Sequence, residues 1–110
     1  MLKEWSQPAF DLVTDRLALI GDPTRVRLLA LLEQGEATVQ QLSDQLPSTP
    51  QNISRHLGIL YRSGIVARQR EGTTVRYRLV DYSACRLLEQ TLASISGQLD
   101  ELADVAKLAA

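Results

Sequence analysis

From Trp5 to Ile20 apolar residues recur every three or four positions (Trp5, Ala9, Val13, Leu17, Ile20), which predicts an amphipathic helix stopped by Gly21. Asp22 or Thr24 can cap a second helix, with Pro23 suited to its start. Val26, Leu28, Leu29, Leu31 and Leu32 make this helix apolar on most sides, so it belongs in the core. Gly35 ends it. Thr38 restarts the chain, and Val39, Leu42 and Leu46 predict a short third helix with Gln40, Gln41 and Asp44 on its polar side and Pro47 as its stop.

A fourth helix starts at Thr49, a good N-cap, with Pro50 in a first turn where no N–H is needed, and runs to about Arg62 before Ser63-Gly64 closes it. At 100° per residue Ile53, Leu57 and Leu60 line one edge, whereas Gln51, Arg55 and Arg62 point the other way, flanked by Asn52 and Ser54. Ile65 to Arg70 and Thr74 to Val80 are rich in β-branched residues and are joined by Glu71-Gly72-Thr73, which predicts a β-hairpin. In its second strand Val75, Tyr77 and Leu79 alternate with Thr74, Arg76 and Arg78, so one face packs and the other is cationic. From about Tyr82 a last helix carries Leu88, Leu92, Ile95, Leu99, Leu102 and Ala106 at the alternating four- and three-residue spacing of a helix-pairing seam, which Gly97 weakens slightly.

This pattern, α-α-α-α-β-β-α, is mainly helical with a β-hairpin wing, and it fits one domain over residues 1–110. With 45% hydrophobic and 23% charged residues the composition is that of a soluble globular chain. No apolar run reaches the length of a membrane span and the first residues lack a secretion signal, so the expectation is a cytoplasmic protein without a membrane partner. One cysteine, Cys85, cannot close an internal disulfide, and one histidine, His56, cannot build a histidine cluster.

The net charge of −1 argues against a polyanionic partner until its distribution is considered. Residues 51 to 80 hold six arginines (Arg55, Arg62, Arg68, Arg70, Arg76, Arg78) against Glu71, a net +5 between two segments of −3 each. A local block of one sign is what phosphates respond to. Two short helices joined by a tight turn and followed by a basic hairpin form a winged helix-turn-helix, whose second helix fits a DNA major groove. Amides pair with adenine, arginine pairs with guanine, and hydroxyls and a helix N-terminus suit phosphate. Gln51, Asn52, Ser54 and Arg55 are therefore the candidate base contacts. Ser48, Thr49, Arg62, Arg68, Arg70, Thr74, Arg76 and Arg78 are the candidate backbone and wing contacts. The expected partner is double-stranded DNA; a protein-binding winged-helix module is the alternative.

The chain also resembles the ArsR/SmtB family of bacterial repressors over nearly its whole length. "LALIGDPTRVRLLALL" (17–32) is similar to the family's second-helix signature L-x-A-L-G-D-P-T-R-L-R-I-L. "TPQNISRHLGILYRSGIV" resembles its recognition segment S-Q-P-A-V-S-x-H-L-x-x-L-x-x-A-G-L-V, with Thr49 for serine and Pro50-Gln51 reversed, and "RQREGTTVRYRL" is similar to its wing. The resemblance implies a homodimer formed through the first and last helices, with Trp5, Val13, Leu17, Leu88, Leu92, Ile95, Leu99 and Leu102 at the interface. It further implies an inverted-repeat operator and a repressor released by an effector.

Many relatives sense metals, but the family's third-helix box E-L-C-V-C-D-L reads Glu36-Ala37-Thr38-Val39-Gln40-Gln41-Leu42 here. Its last-helix pattern keeps Asp81 but has Ser83, Ser94 and Gly97 at the other ligand positions. Neither set has the thiolates or imidazoles a transition ion needs, so no metal and no cofactor is expected. The signal stays open between a small molecule held in the space between the first and last helices of two subunits, Cys85 chemistry, and no effector at all, with control by protein level. Cys85 has two readings, a thiol sensor or a small packed residue. His56, near the apolar edge of its helix, reads as a phosphate contact or a packing residue. No nucleophile, carboxylate pair or phosphate-cradling loop points to an enzyme.

Overall fold

The computed structural model describes residues 1–98 and Lys107. Leu99, Leu102 and Ala106 of the predicted seam lie outside the described residues. A single 3₁₀ turn, Leu2–Glu4, precedes α1 (Gln7–Ile20), α2 (Pro23–Glu33), β1 (Ala37–Thr38), α3 (Val39–Ser43), α4 (Pro50–Arg62), β2 (Val66–Glu71), β3 (Thr74–Leu79) and α5 (Ser83–Gln98).

Local chemistry sets most of these boundaries. Ser6 caps α1 through its Oγ, which accepts from the Ala9 N–H, and Pro8 sits in the first turn. Trp5 therefore precedes the helix instead of opening it, and its ring packs 5.4 Å from that of Phe10. Asp22, not Thr24, caps α2: its carboxylate accepts from the N–H groups of Thr24 and Arg25 at 3.0 and 3.1 Å. Thr38 and Gln41 form a reciprocal capping box at the start of α3. That helix ends at Ser43, so Leu46 packs from the following bend instead of from a last helical turn. In α4 Thr49 Oγ1 accepts from the Asn52 N–H at 3.1 Å, as a hydroxyl N-cap should.

The hairpin is wider than the sequence pattern suggests. β3 pairs with β2 on one side and with the two-residue β1 on the other, giving a three-stranded antiparallel sheet of order β1-β3-β2. Ala37 stands opposite Tyr77 and Thr38 opposite Arg76, so the wing is anchored to the start of α3. The turn between β2 and β3 is Gly72-Thr73, and Gly72 has φ +64°, a left-handed conformation that glycine adopts without a Cβ penalty.

The core lies where α2, α4 and the base of the wing meet. Leu28 and Leu29 of α2, Leu42 of α3, and Ile53, Leu57 and Leu60 of α4 are wholly buried, together with Ile65, and Tyr77 and Leu79 close the sheet side. Each such aliphatic side chain contributes ~1.5 to 3 kcal/mol of burial free energy. Only Ile20 of α1 is buried. Leu19 packs half-buried beside it and its carbonyl accepts from Arg25 Nε at 2.6 Å, while Arg16 ties the helix further along, its Nη2 donating to the Ser63 carbonyl at 3.0 Å and its Nη1 pairing with Asp81 at 3.5 Å. Among the described residues no helix is long and apolar enough to cross a membrane.

Candidate nucleic-acid interface

Burial of Ile53, His56, Leu57 and Leu60 fixes the roll of α4, so its opposite side faces outward at a helix turn that begins with Thr49. Gln51, Ser54, Arg55 and Arg62 are exposed there, and Asn52 is half-buried. A polar chain orders the first turn. Asn52 Nδ2 donates to Ser48 Oγ at 2.7 Å, and Asn52 Oδ1 accepts from Arg55 Nη2 at 2.9 Å. Ser48, Asn52 and Arg55 thus form one unit, with one N–H and one lone pair of the amide used on its neighbours, a second of each left over, and the guanidinium held at the helix surface. Arg62 folds back along α4, where its Nη1 would meet a Cβ at position 58 at 3.2 Å; Gly58 leaves that space.

The strand register divides the wing arginines between two faces. Arg68 stands opposite Tyr77 and Arg70 opposite Val75, on the sheet face that turns towards α4. Arg76 and Arg78 stand opposite Gln69 and Ala67 on the reverse face, with Thr74 opposite Glu71 next to the turn. Arg76 Nε approaches Glu71 at 3.8 Å, and Arg78 and Thr74 are exposed. The alternation within β3 is as the sequence pattern predicts. The four wing arginines do not form a single cationic face.

Arg68 and Arg70 line a cleft of about 480 Å³ between α4 and the wing, with Ser54, Tyr61, Val75 and Tyr77 as the other walls. Arg68 Cζ lies over the Tyr61 ring, 4.0 Å from its centroid. Tyr77, directly opposite in the strand register, and then Tyr61 favour the charged guanidinium and hold it above the usual arginine value, with burial opposing. Tyr61 and Tyr77 were not among the candidate site residues. Tyr77 sits at a packing position of the strand pattern and Tyr61 at an exposed position of α4, off its apolar edge, and only the placement of the two elements shows that both lie beside Arg68.

His56 is buried, at 4% exposure, which favours packing over phosphate contact. Arg25 Nη1 lies 3.0 Å from its Nδ1, Arg55 Nη2 lies 3.2 Å from its Nε2, and Asp22 Oδ2 lies 3.7 Å from Nδ1. Burial above all, aided by the two arginines and opposed by Asp22, holds the ring below the usual histidine range. Asp22 is itself lowered, chiefly by the Arg25 backbone N–H.

Cys85 is buried, and its thiol points at the Leu29 carbonyl 4.0 Å away. Burial, then the charge of Glu33, pushes its pKa up to about 11, the opposite of what a reactive thiolate needs. Asp81 spends its carboxylate on the start of α5: Oδ1 accepts from the Ser83 N–H and hydroxyl at 2.9 and 2.6 Å, and Oδ2 pairs with Arg16. Among the described residues no group of three or more His, Cys, Asp or Glu is placed to hold a metal ion.

Of the residues expected at a subunit interface, Trp5, Val13, Leu17, Leu92 and Ile95 are 38 to 48% exposed, and Leu88 is half-buried against the core.

Comparison with known proteins agrees with this geometry. Residues 22–68 match the family described as "Bacterial regulatory protein, arsR family". The "Uncharacterized HTH-type transcriptional regulator Rv0081" of Mycobacterium tuberculosis is 31% identical over 84 residues, 76% of this chain and 74% of the relative. Its crystal structure superposes with a TM-score of 0.76 at 28% identity, covering 87% of this chain and 97% of that one. A "Biofilm growth-associated repressor" of Agrobacterium fabrum is 36% identical over 77 residues, 70% of this chain and 66% of the relative. The homodimeric winged helix-turn-helix DNA-binding domain of Mb0332 from Mycobacterium bovis superposes with a TM-score of 0.68 at 25% identity, covering 89% of this chain and 94% of that domain. With its α3–α4 pair, its wing and its matched sequence, the chain belongs to the ArsR family of winged helix-turn-helix transcriptional regulators, which are not enzymes.

Proposed function

We propose that the protein is a dimeric, sequence-specific repressor that binds an inverted-repeat operator in the cytoplasm. The observation that carries this reading is the side-by-side placement of the polar face of α4 and the Arg68–Arg70 cleft, linked through Tyr61. Gln51 and Arg55 are assigned to base edges, with Asn52 holding Arg55 and contacting DNA from the same turn. Ser54 faces both the groove and the cleft. Ser48, Thr49, Arg62, Arg68 and Arg70 are assigned to phosphates beside α4, and Thr74, Arg76 and Arg78 to the wing's reverse face and tip.

Homodimerisation is supported by the uncovered apolar side chains of α1 and α5 and by the homodimeric state of the related Mb0332 domain. An amphipathic α1 with one buried residue gains its missing apolar contacts from a second copy. Control is assigned to a small molecule. The two ligand sets through which relatives would hold metals are replaced here by Thr38, Gln40, Ser83, Ser94 and Gly97. The burial and raised pKa of Cys85 speak against a thiol switch.

Gel shifts with the duplex upstream of the protein's own gene, at two salt concentrations and against random competitor, test the reading. Repression predicts binding that survives competitor and weakens steeply with salt, with log K falling by about 0.9 per neutralised phosphate for each tenfold rise in salt. Association insensitive to salt and to competitor would favour a protein-binding module.

A further inference from the structure

His56 is the chain's one histidine. Two guanidinium groups reach its buried ring, one at each nitrogen. A neutral imidazole has one lone pair and one N–H, and a guanidinium only donates. Arg25 and Arg55 therefore cannot both be hydrogen-bonded to the ring. Protonating it makes matters worse, because an imidazolium has no lone pair and would face two cations with Asp22 as the one nearby anion.

The surroundings decide the contest. Arg25 is fixed at its other edge, where Nε donates to the Leu19 carbonyl at the end of α1 at 2.6 Å. Its own N–H is held by Asp22. Arg55 is exposed and has a second acceptor in Asn52 Oδ1 at 2.9 Å, itself oriented from Ser48. We infer that His56 is a positioning residue for base reading: Arg25 takes the lone pair at Nδ1, the proton sits on Nε2, and that N–H denies Arg55 an acceptor on the ring, leaving its guanidinium poised on Asn52 for DNA. The inference rests on the assignment of Arg55 to a base. It makes discrimination at one base pair depend on two side chains of the buried cluster, one of which also clasps the end of α1.

A long-range ¹H–¹⁵N spectrum of the labelled protein reads the tautomer directly, and one histidine gives one pattern. The Nε2–H form is expected in the free wild type at neutral pH; the Nδ1–H form overturns the inference. Discrimination is then measured between a duplex selected by the wild type from a random pool and the same duplex altered at the base pair whose preference Arg55→Ala abolishes. Arg25→Met frees Nδ1, so the proton should move to it, Nε2 should accept from Arg55, and discrimination should fall about tenfold. Because Arg25 also braces α1, two ring variants accompany it. His56→Asn keeps an acceptor near Arg25 and should retain discrimination, whereas His56→Gln presents a carbonyl near Arg55 and should lose it about tenfold. Equal discrimination by the two variants overturns the inference. Failure of the wild type to select any duplex sinks the DNA-reading assignment instead, and the spectrum, which needs no DNA, keeps those two failures apart.

Discussion

The Arg68 guanidinium lies over the Tyr61 ring at 4.0 Å, and this contact joins the wing to the recognition helix. A wing held only by its own turn would sample many angles to α4. With Arg68 resting on Tyr61 and standing opposite Tyr77, one cation of the cleft is already placed, so less conformational entropy should be lost on binding.

Replacing Tyr61 with alanine should therefore weaken binding to all duplexes alike. An exposed cation–π contact is worth about 0.5 to 1 kcal/mol, or two- to fivefold in Kd. Tyr61→Phe should keep most of the affinity. Arg68→Ala should weaken binding more and also reduce the salt slope by about 1. Titrations at several salt concentrations separate the two effects: the tyrosine variant shifts the line and the arginine variant tilts it.

Thr49 supports the same helix from its N-terminus. Thr49→Ala removes the acceptor for the Asn52 N–H and should cost ~1 kcal/mol of stability, whereas Thr49→Ser should cost little. Thermal unfolding at fixed protein concentration measures both, the fixed concentration being needed for a chain that associates.

How far the sequence carried these conclusions depends on the range over which each signal acts. The cap at Thr49, Pro50 in the first turn and the Ile53-Leu57-Leu60 edge are local, and α4 was legible almost to the residue. β1 was not, because two residues carry no period and Ala37-Thr38 is a strand only by virtue of lying against Tyr77 and Arg76. Trp5 fitted the apolar spacing of α1, but the Ser6 cap, a stronger local signal, starts the helix after it. The division of the wing arginines follows from the register between β2 and β3, which alternation within one strand does not contain. The His56 cluster joins residues 31 positions apart and could not be read along the chain.

Acid should destabilise the fold through that cluster. Both His56 and Asp22 have folded pKa values below their ordinary ones, so the native state favours the deprotonated forms. The histidine's contribution is fully present above its unfolded value of about 6.5 and is lost as pH falls through the lower folded value. Asp22 acts in the same direction in the lower carboxylate range. Denaturant midpoints measured from pH 7.5 down to 5 should fall for the wild type and fall less steeply for His56→Asn.

The dimer face offers a separate check. Leu92→Asp places a charge in the exposed apolar stripe of α5, away from the core, and should shift the protein towards monomer in sedimentation equilibrium while leaving its helical content unchanged. Specific DNA affinity should drop together with dimerisation, because each half-site alone retains only half of the contacts.

The most direct test of paired recognition is hydroxyl-radical footprinting of the wild type on a duplex selected from a random pool. Two protected segments related by dyad symmetry are predicted, centred about ten base pairs apart on one face of the duplex, with one half lost when Arg55's preferred base is changed in that half. A single asymmetric protected segment, or protection independent of sequence, would contradict the account.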